Sequence, residues 1–285
     1  MDHRCVQLAD SEGADVMEKR TISWFSCGAP SAVATKLALQ QGPVTIAYCE
    51  VKEEHPDNTR FLKQCEEWFG QKVIVLGNEG YDRSIYEVFR KTRYLKGVAG
   101  ARCTGELKKK VREAFERPTD RQVFGYTVEE QKRVDLFIDA NNDVDIWPIL
   151  IEKGLTKADC KSLIRTAGIE LPAMYRMGYH NNNCVGCVKG AAGYCNKIRR
   201  EFPEAFERMN EMEKHLGRTV CKIEMSTVKT RYPEHYDPST RYWRPRLDEL
   251  PPDAGVYSTE SAIECGIFCE MVERELAVPA LKGLT

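Results

Sequence analysis

Three groups of cysteines stand out because their spacing suits metal ligation or thiol chemistry. Cys103 lies in an Arg-Cys-Thr run, Cys184 and Cys187 form a Cys-x-x-Cys motif, and Cys265 follows a glutamate near the end of the sequence. Two sulfurs separated by two residues in a turn can ligate one ion or cluster without strain. The sequence therefore predicts sulfur or electron chemistry beside the ligand of this protein.

The composition is that of a globular protein with an ordinary core. The chain has 285 residues, of which 42% are hydrophobic, and 42 basic residues face 43 acidic ones. Overall charge therefore does not favour nucleic acid, and a nucleic-acid partner would need a local basic patch. The chain has 12 cysteines and no long apolar segment or leader pattern, which predicts a cytoplasmic protein with reduced thiols and no membrane partner.

Strand and helix patterns alternate from residue 20 onward, which predicts an α/β fold with a mostly parallel, doubly wound sheet. We expect an N-terminal arm over 1–19, a nucleotide-binding domain over 20–216 and an extension over 217–285 that folds back on this domain. The predicted strands are 21–25, 44–51, 72–76, 123–126 and 147–151. The predicted helices include 31–41, 57–69, 84–91, 104–115, 129–140, 157–166, 198–216 and 261–276. In such folds ligands bind beyond the carboxyl ends of the strands, where the strand order reverses.

The loop after the first predicted strand consists of small residues and hydroxyls. It contains Ser26, Cys27, Gly28, Ala29 and Ser31, and a helix is predicted to follow it. The amides at a helix N-terminus bind anions, and small side chains let a phosphate approach them. The loop is therefore a candidate phosphate site, although an ordinary tight turn capped by Ser31 has the same pattern.

This loop resembles the SGGxDS phosphate loop of the adenine nucleotide alpha hydrolase (PP-loop) superfamily, and in particular its PAPS reductase branch. His55-Pro-Asp-Asn-Thr stands where that family has its DTG...PET stretch, and Gly125 with Glu130 and Arg133 is similar to its GxRxxES strand end. The resemblance implies adenine-nucleotide binding by the loop, Glu130 and Arg133. Pro30 replaces the loop aspartate, which favours binding of a phosphate or sulfate over cleavage of ATP.

The resemblance also implies a [4Fe-4S] cluster held by Cys103, Cys184 and Cys187. The fourth ligand would be Cys195, Cys265 or Cys269, or the position would be open. Zinc remains the alternative metal, because three or four thiolates suit both. For Cys184 and Cys187 the competing interpretation is a buried or redox-active thiol pair.

The Glu-Cys-Gly-Ile sequence around Cys265 resembles the C-terminal motif of sulfonucleotide reductases, whose cysteine attacks the sulfate sulfur. The resemblance implies Cys265 as nucleophile, Lys108 near the substrate, APS or PAPS as the sulfonucleotide, and a thioredoxin-like reductant. Phe268 replaces the histidine of the motif, and Cys265 and Cys269 could instead be cluster ligands or pack on one helix face. Lys108 could equally belong to a solvated basic face.

Two further functions fit the sequence. Arginines alternate with aromatic residues over 231–246, a combination that stacks bases and pairs phosphates, so sulfur insertion into tRNA or DNA is one alternative. The competing interpretation is that the aromatic residues of 231–246 pack this stretch on the domain. A non-catalytic nucleotide sensor with a structural metal is the other alternative, motivated by the altered phosphate loop.

Overall fold

The computed structural model describes residues 19–97 and 100–263, and these form an α/β structure around one parallel sheet. The strands are β1 (Thr21–Trp24), β2 (Thr45–Cys49), β3 (Ile74–Leu76), β4 (Lys96–Gly97), β5 (Gly100–Ala101), β6 (Arg121–Val123), β7 (Asp145–Trp147), β8 (Ile223–Glu224) and β9 (Tyr242–Trp243). The central sheet has the order β3-β2-β1-β6-β7 and every pairing in it is parallel. The prediction of an α/β fold with a parallel sheet is confirmed.

Helices connect the strands of the central sheet, and further helices come after its last strand in the sequence. They are α1 (Ala29–Leu39), α2 (Asn58–Phe69), α3 (Ile85–Thr92), α4 (Arg102–Thr104), α5 (Lys110–Glu113), α6 (Gln131–Ala140), α7 (Ile149–Glu152), α8 (Lys157–Thr166), α9 (Ala173–Arg176), α10 (Ala192–Glu201), α11 (Pro203–Leu216) and α12 (Met225–Arg231). A π-helical turn, Gly105–Lys109, joins α4 to α5. None of the helices in the described residues is long and apolar enough to cross a membrane.

Alternate residues of β1 point to opposite faces of the sheet, and both faces are covered. Ile22 and Trp24 pack with Val134 and Phe137 of α6 on one face. Phe25, which follows β1, packs on the other face in the cluster that contains residues of α1, α2 and α8. This burial of both faces at β1 is compatible with a doubly wound sheet.

Several element boundaries differ from the sequence-based ones. The strand predicted over 123–126 ends at Val123, and the apolar run 147–151 divides into the end of β7 and the helix α7. The helix predicted over 198–216 begins earlier, at Ala192, and breaks before Pro203, which lacks an amide proton to continue it. Residues 261–263, where the helix predicted over 261–276 would begin, are not helical, and the rest of that helix and the first 18 residues of the N-terminal arm lie outside the described residues.

Residues after Gly217 pack against α10 and α11. Val220, Ile223, Val228 and Leu247 belong to the same hydrophobic cluster as Ile198 of α10. The Glu260 carboxylate accepts hydrogen bonds from the amides of Gly193 (2.6 Å) and Tyr194 (2.9 Å), two of the otherwise unpaired amides at the start of α10. Side chains of this part of the chain therefore support the helix that follows the Cys-x-x-Cys motif.

Candidate functional site

A cleft of about 940 Å³, open to solvent, lies at the carboxyl ends of β1, β2 and β6. The chain runs from β1 to β2 and β3 on one side and returns to β6 on the other side of β1, so the strand order reverses beside this cleft. Its lining residues are Trp24, Phe25, Ser26, Gly28, Pro30, Ser31, Cys49, Lys108, Phe124, Gly125, Tyr126, Glu130, Arg133, Lys157, Tyr175, Asn181, Asn182 and Asn183. This is the place where parallel α/β sheets bind their ligands.

The loop after β1 forms one wall of the cleft and leads directly into α1. Gly28 occupies the N-cap position, where no side chain caps the helix, and Pro30 fits the first turn because it needs no amide partner. The Ser31 hydroxyl accepts a bond from the Ser26 amide (3.1 Å) and donates one to the Gly28 carbonyl (3.0 Å). Of the five residues predicted to bind phosphate in this loop, Ser26, Gly28 and Ser31 line the cleft, whereas the side chains of Cys27 and Ala29 are fully buried.

Gly125 allows the end of β6 to approach the start of α1. A Cβ atom at Gly125 would lie 2.4 Å from the Ser31 nitrogen and 2.7 Å from its Cα. Backbone atoms cannot give way as a flexible side chain would, so any other residue at this position would separate the two segments. The glycine is therefore required by the geometry of the cleft.

Cys27 adopts a left-handed backbone conformation, with φ of 54°, which is uncommon for a residue with a side chain. The Asn182 side-chain amide donates a hydrogen bond of 2.7 Å to its carbonyl oxygen. This contact joins the phosphate-loop candidate to the segment before the Cys-x-x-Cys motif. Burial raises the pKa of the Cys27 thiol well above its ordinary value, so this sulfur is protonated near neutral pH.

A buried carboxylate, Glu54, links Lys108 to the same network. It accepts hydrogen bonds from the Lys108 ammonium (3.0 Å), the Tyr48 hydroxyl (2.5 Å) and the Asn58 amide (3.0 Å). Asn58 in turn accepts a bond of 2.7 Å from Asn182. Because four separate segments meet at these groups, Glu54 fixes where the ammonium of Lys108 stands in the cleft wall.

The other charged groups of the cleft lie around α6 and α8. Arg133 pairs with Glu130 (3.1 Å), and its guanidinium lies 5.4 Å from the ring centre of Tyr126. Glu130 also accepts a bond from the Thr127 amide, so it supports the turn that begins this helical segment. Lys157, at the start of α8, donates to Asn181 (2.9 Å). Lys108, Glu130 and Arg133, which the sequence analysis singled out, thus line one cleft together with Lys157.

Three of the cysteines predicted to bind metal belong to, or pack against, one large hydrophobic cluster. Cys184 and Cys187 are 8% exposed and belong to one hydrophobic cluster, against which Cys103 packs. The Tyr194 hydroxyl accepts a bond from the Cys187 amide and donates one to the Cys184 carbonyl, which holds the Cys-x-x-Cys turn. Within residues 19–97 and 100–263, no three His, Cys, Asp or Glu side chains are grouped so as to hold a metal ion.

The other cysteines predicted to act as cluster ligands or as nucleophile are Cys195, Cys265 and Cys269. Cys265 and Cys269 lie outside the described residues. Cys195, a candidate fourth ligand, has its sulfur 3.1 Å from that of Cys221, a residue that the sequence suggested to be only a buried hydrophobe. The two are brought together because residue 221 lies in the segment that folds back on α10.

Comparison with known proteins gives no family assignment. The sequence matches no protein-family model, and no curated protein matches it either.

Some residues of the cleft were missed by sequence reasoning. Cys49 was interpreted as an isolated buried thiol, yet it lines the cleft beside Lys108, whose carbonyl lies 3.9 Å from its sulfur. Glu54 and Lys157 were not singled out. Their positions in the sequence could have identified these residues. Cys49 ends a strand, and Glu54 and Lys157 lie in connections that follow the carboxyl ends of strands.

Proposed function

We propose that this chain is a sulfonucleotide reductase of the PAPS reductase type, which binds APS or PAPS in the cleft and releases sulfite. The observation that carries the proposal is the convergence of Lys108, Arg133 and Lys157 with the N-terminus of α1 at the reversal of strand order. Positive side chains and the positive end of a helix dipole favour the phosphate and sulfate oxygens of such a ligand. Aromatic walls suit a purine ring, and these are Trp24, Phe124 and Tyr126.

In the proposed reaction the Cys265 thiolate attacks the sulfur atom of the sulfonucleotide. A sulfur-sulfur bond forms, the bond from that sulfur to the phosphate oxygen breaks, and the nucleotide phosphate leaves. A dithiol carrier of the thioredoxin type then attacks the Cys265 sulfur and releases sulfite. The second thiol of the carrier displaces Cys265 from the mixed disulfide, so the carrier supplies both electrons and becomes oxidised.

Neither cleft cysteine within the described residues suits the attacking role. Burial raises the pKa of Cys49 to about 11, and the pKa of Cys27 is also raised by burial. A thiol with a pKa this high is almost entirely protonated near neutral pH, and only the thiolate is nucleophilic. This supports a nucleophile supplied from elsewhere in the chain and makes Cys49 a suitable control.

The proposal includes a [4Fe-4S] cluster, with zinc as the alternative, held by Cys103, Cys184 and Cys187 with Cys269 as a candidate fourth ligand. Its support is the position of the first three thiols around one hydrophobic cluster. When bound, a cluster with an open iron would supply a site for a sulfur atom. The described thiols do not form a metal site by themselves, and the reaction above involves no step at the cluster.

The test is sulfite release by protein purified without oxygen, supplied with APS or PAPS and reduced thioredoxin. We expect turnover in the wild type and in Cys49→Ser, and none in Cys265→Ser. Iron and sulfide are measured in all three proteins. Turnover that survives Cys265→Ser excludes this nucleophile, and loss of iron in that variant identifies Cys265 as a ligand.

A second candidate function, sulfur insertion into tRNA or DNA, is favoured by the surroundings of Tyr242. The side-chain charges of Lys222, Arg241 and Arg244 lie 4.8, 5.1 and 5.9 Å from its ring centre. Bases stack on such rings while cations pair with phosphates. Retention of RNA or DNA without sulfite release would favour this function, and nucleotide binding with neither property would favour a sensor.

A further inference from the structure

Two buried thiols lie in contact outside the cleft. The Cys195 and Cys221 sulfurs are 3.1 Å apart, and the two residues are 5% and 0% exposed. Cys195 lies on α10, whereas Cys221 precedes β8 in the segment that packs on this helix. A disulfide has a sulfur-sulfur distance of about 2.05 Å, so a shift of about 1 Å would join them. The bond would link residues that are 26 positions apart in the sequence and do not line the cleft.

The surroundings of this pair admit only a very small oxidant. A cavity with room for about one water-sized molecule, lined mainly by apolar side chains together with Cys187 and Cys195, lies beside it. The hydrogen bond with Cys221 and burial raise the pKa of the Cys195 thiol well above its ordinary value. Only a small fraction is then the thiolate that attacks a peroxide, so we expect the oxidation to be slow near neutral pH.

We propose that Cys195 and Cys221 form a reversible disulfide and that this pair is a peroxide-sensitive modification site. One thiolate attacks hydrogen peroxide, the oxygen-oxygen bond breaks, and a sulfenic acid and hydroxide form. The second thiol attacks the sulfenic sulfur, the new disulfide replaces the sulfur-oxygen bond, and water leaves. In total two thiols lose two electrons, and one peroxide becomes two waters. A dithiol reductant reverses the change.

The disulfide would tie the 217–250 segment to α10. Cross-linking residues that are 26 positions apart restricts the unfolded chain, so the oxidised protein resists heating better than the reduced one. Cys195 would then be a partner of Cys221 rather than the fourth ligand of a metal cluster. This inference is independent of the reaction proposed for the cleft.

The test is a cysteine map of fully reduced protein after treatment with one equivalent of hydrogen peroxide. Free thiols are alkylated in denaturant, and the digest is analysed by mass spectrometry. We expect a cross-linked peptide that contains Cys195 and Cys221, and a rise in Tm of about 3 °C or more on oxidation. Cys195→Ser and Cys221→Ser abolish both effects. Cys160→Ser, which removes a buried thiol from α8, leaves both unchanged.

Three results would overturn the inference. The first is full alkylation of both residues after peroxide has oxidised other cysteines. The second is a cross-link from Cys195 to Cys187 instead. The third is iron or zinc in the purified protein that is lost in Cys221→Ser and kept in Cys160→Ser, because the pair would then be metal ligands.

Discussion

At the scale of single residues, the cleft depends on a buried ion pair. Lys108 and Glu54 have side chains only 17% and 4% exposed, and the carboxylate has two further donors. Burying two charges costs desolvation energy, which good geometry offsets only when both partners are present. The pair therefore matters less for total stability than for holding the ammonium of Lys108 at one point of the cleft.

Lys108→Met should lower the free energy of unfolding by about 3 kcal/mol, because it leaves Glu54 buried without its cation. Adding Glu54→Gln to the Lys108→Met variant should restore part of the lost stability, because the glutamine side chain that replaces the buried carboxylate carries no charge. Urea unfolding of both single variants and the double variant measures the coupling. Lys109→Met is the matched control, because its neighbouring ion pair is long, at 4.0 Å, and half exposed. Additive effects of the two changes would show that the pair is not coupled.

At the scale of elements, the cleft exists because β6 ends against the first turn of α1. Gly125→Ala should therefore lower the free energy of unfolding by about 2 kcal/mol and weaken binding of AMP, since its new methyl group meets the Ser31 backbone. Thermal unfolding and calorimetric titration with AMP measure the two effects. Gly80→Ala is the control, because its Cβ would meet only the Asn78 side chain, at 3.2 Å. Unchanged AMP affinity in Gly125→Ala would contradict this account of the cleft.

Asp57 connects two other elements and gives the protein a pH-dependent contact. Its carboxylate accepts bonds from Arg60 of α2 (2.7 Å) and from the Ala173 amide of α9 (2.7 Å). Hydrogen bonding to Arg60, supported by the Ala173 amide, lowers the pKa of Asp57 to about 2. The unfolded value is about 4, so the ionised carboxylate stabilises the fold fully above pH 4, and this contribution disappears as the pH falls through 2.

Asp57→Asn should therefore be less stable than the wild type at pH 7, and the difference should shrink as the pH falls from about 4 to about 2. Chemical unfolding at a series of pH values measures it. Asp82→Asn is the control, because its carboxylate is exposed and paired with Lys52 on the surface. A difference that stays constant down to pH 2 would assign the effect to packing and not to charge.

At the scale of the whole molecule, the segment after residue 217 completes the support of α10. Glu260→Ala should lower the free energy of unfolding by about 2 kcal/mol, because two amides at the helix start lose a charged acceptor. Glu249→Ala, which removes an exposed partner of Arg246, should change it by less than about 0.5 kcal/mol. The denaturant midpoints of the two variants measure these losses of stability. Equal losses would show that the Glu260 contact does not stabilise the fold.

The sequence predicted the fold class and part of the site, and the reasons are local. Short stretches of the sequence contain the signals for β1, for the small residues before α1 and for the helical periodicity of α8. The role of Glu54 depends on Tyr48, Asn58 and Lys108 meeting in space, and no short stretch encodes that meeting. The contact of Cys195 with Cys221 is equally non-local, and for that reason an isolated cysteine looked like an ordinary core residue.

The walls of the cleft come from stretches that are far apart in the sequence. Trp24 and Gly125 stand at the ends of strands, while Lys157 and Asn182 belong to the second half of the described chain. All walls of the cleft are therefore present only after the ribosome has synthesised the asparagine stretch. A shortened product that stops ahead of this stretch would contain the loop before α1 and still lack one wall of the cleft.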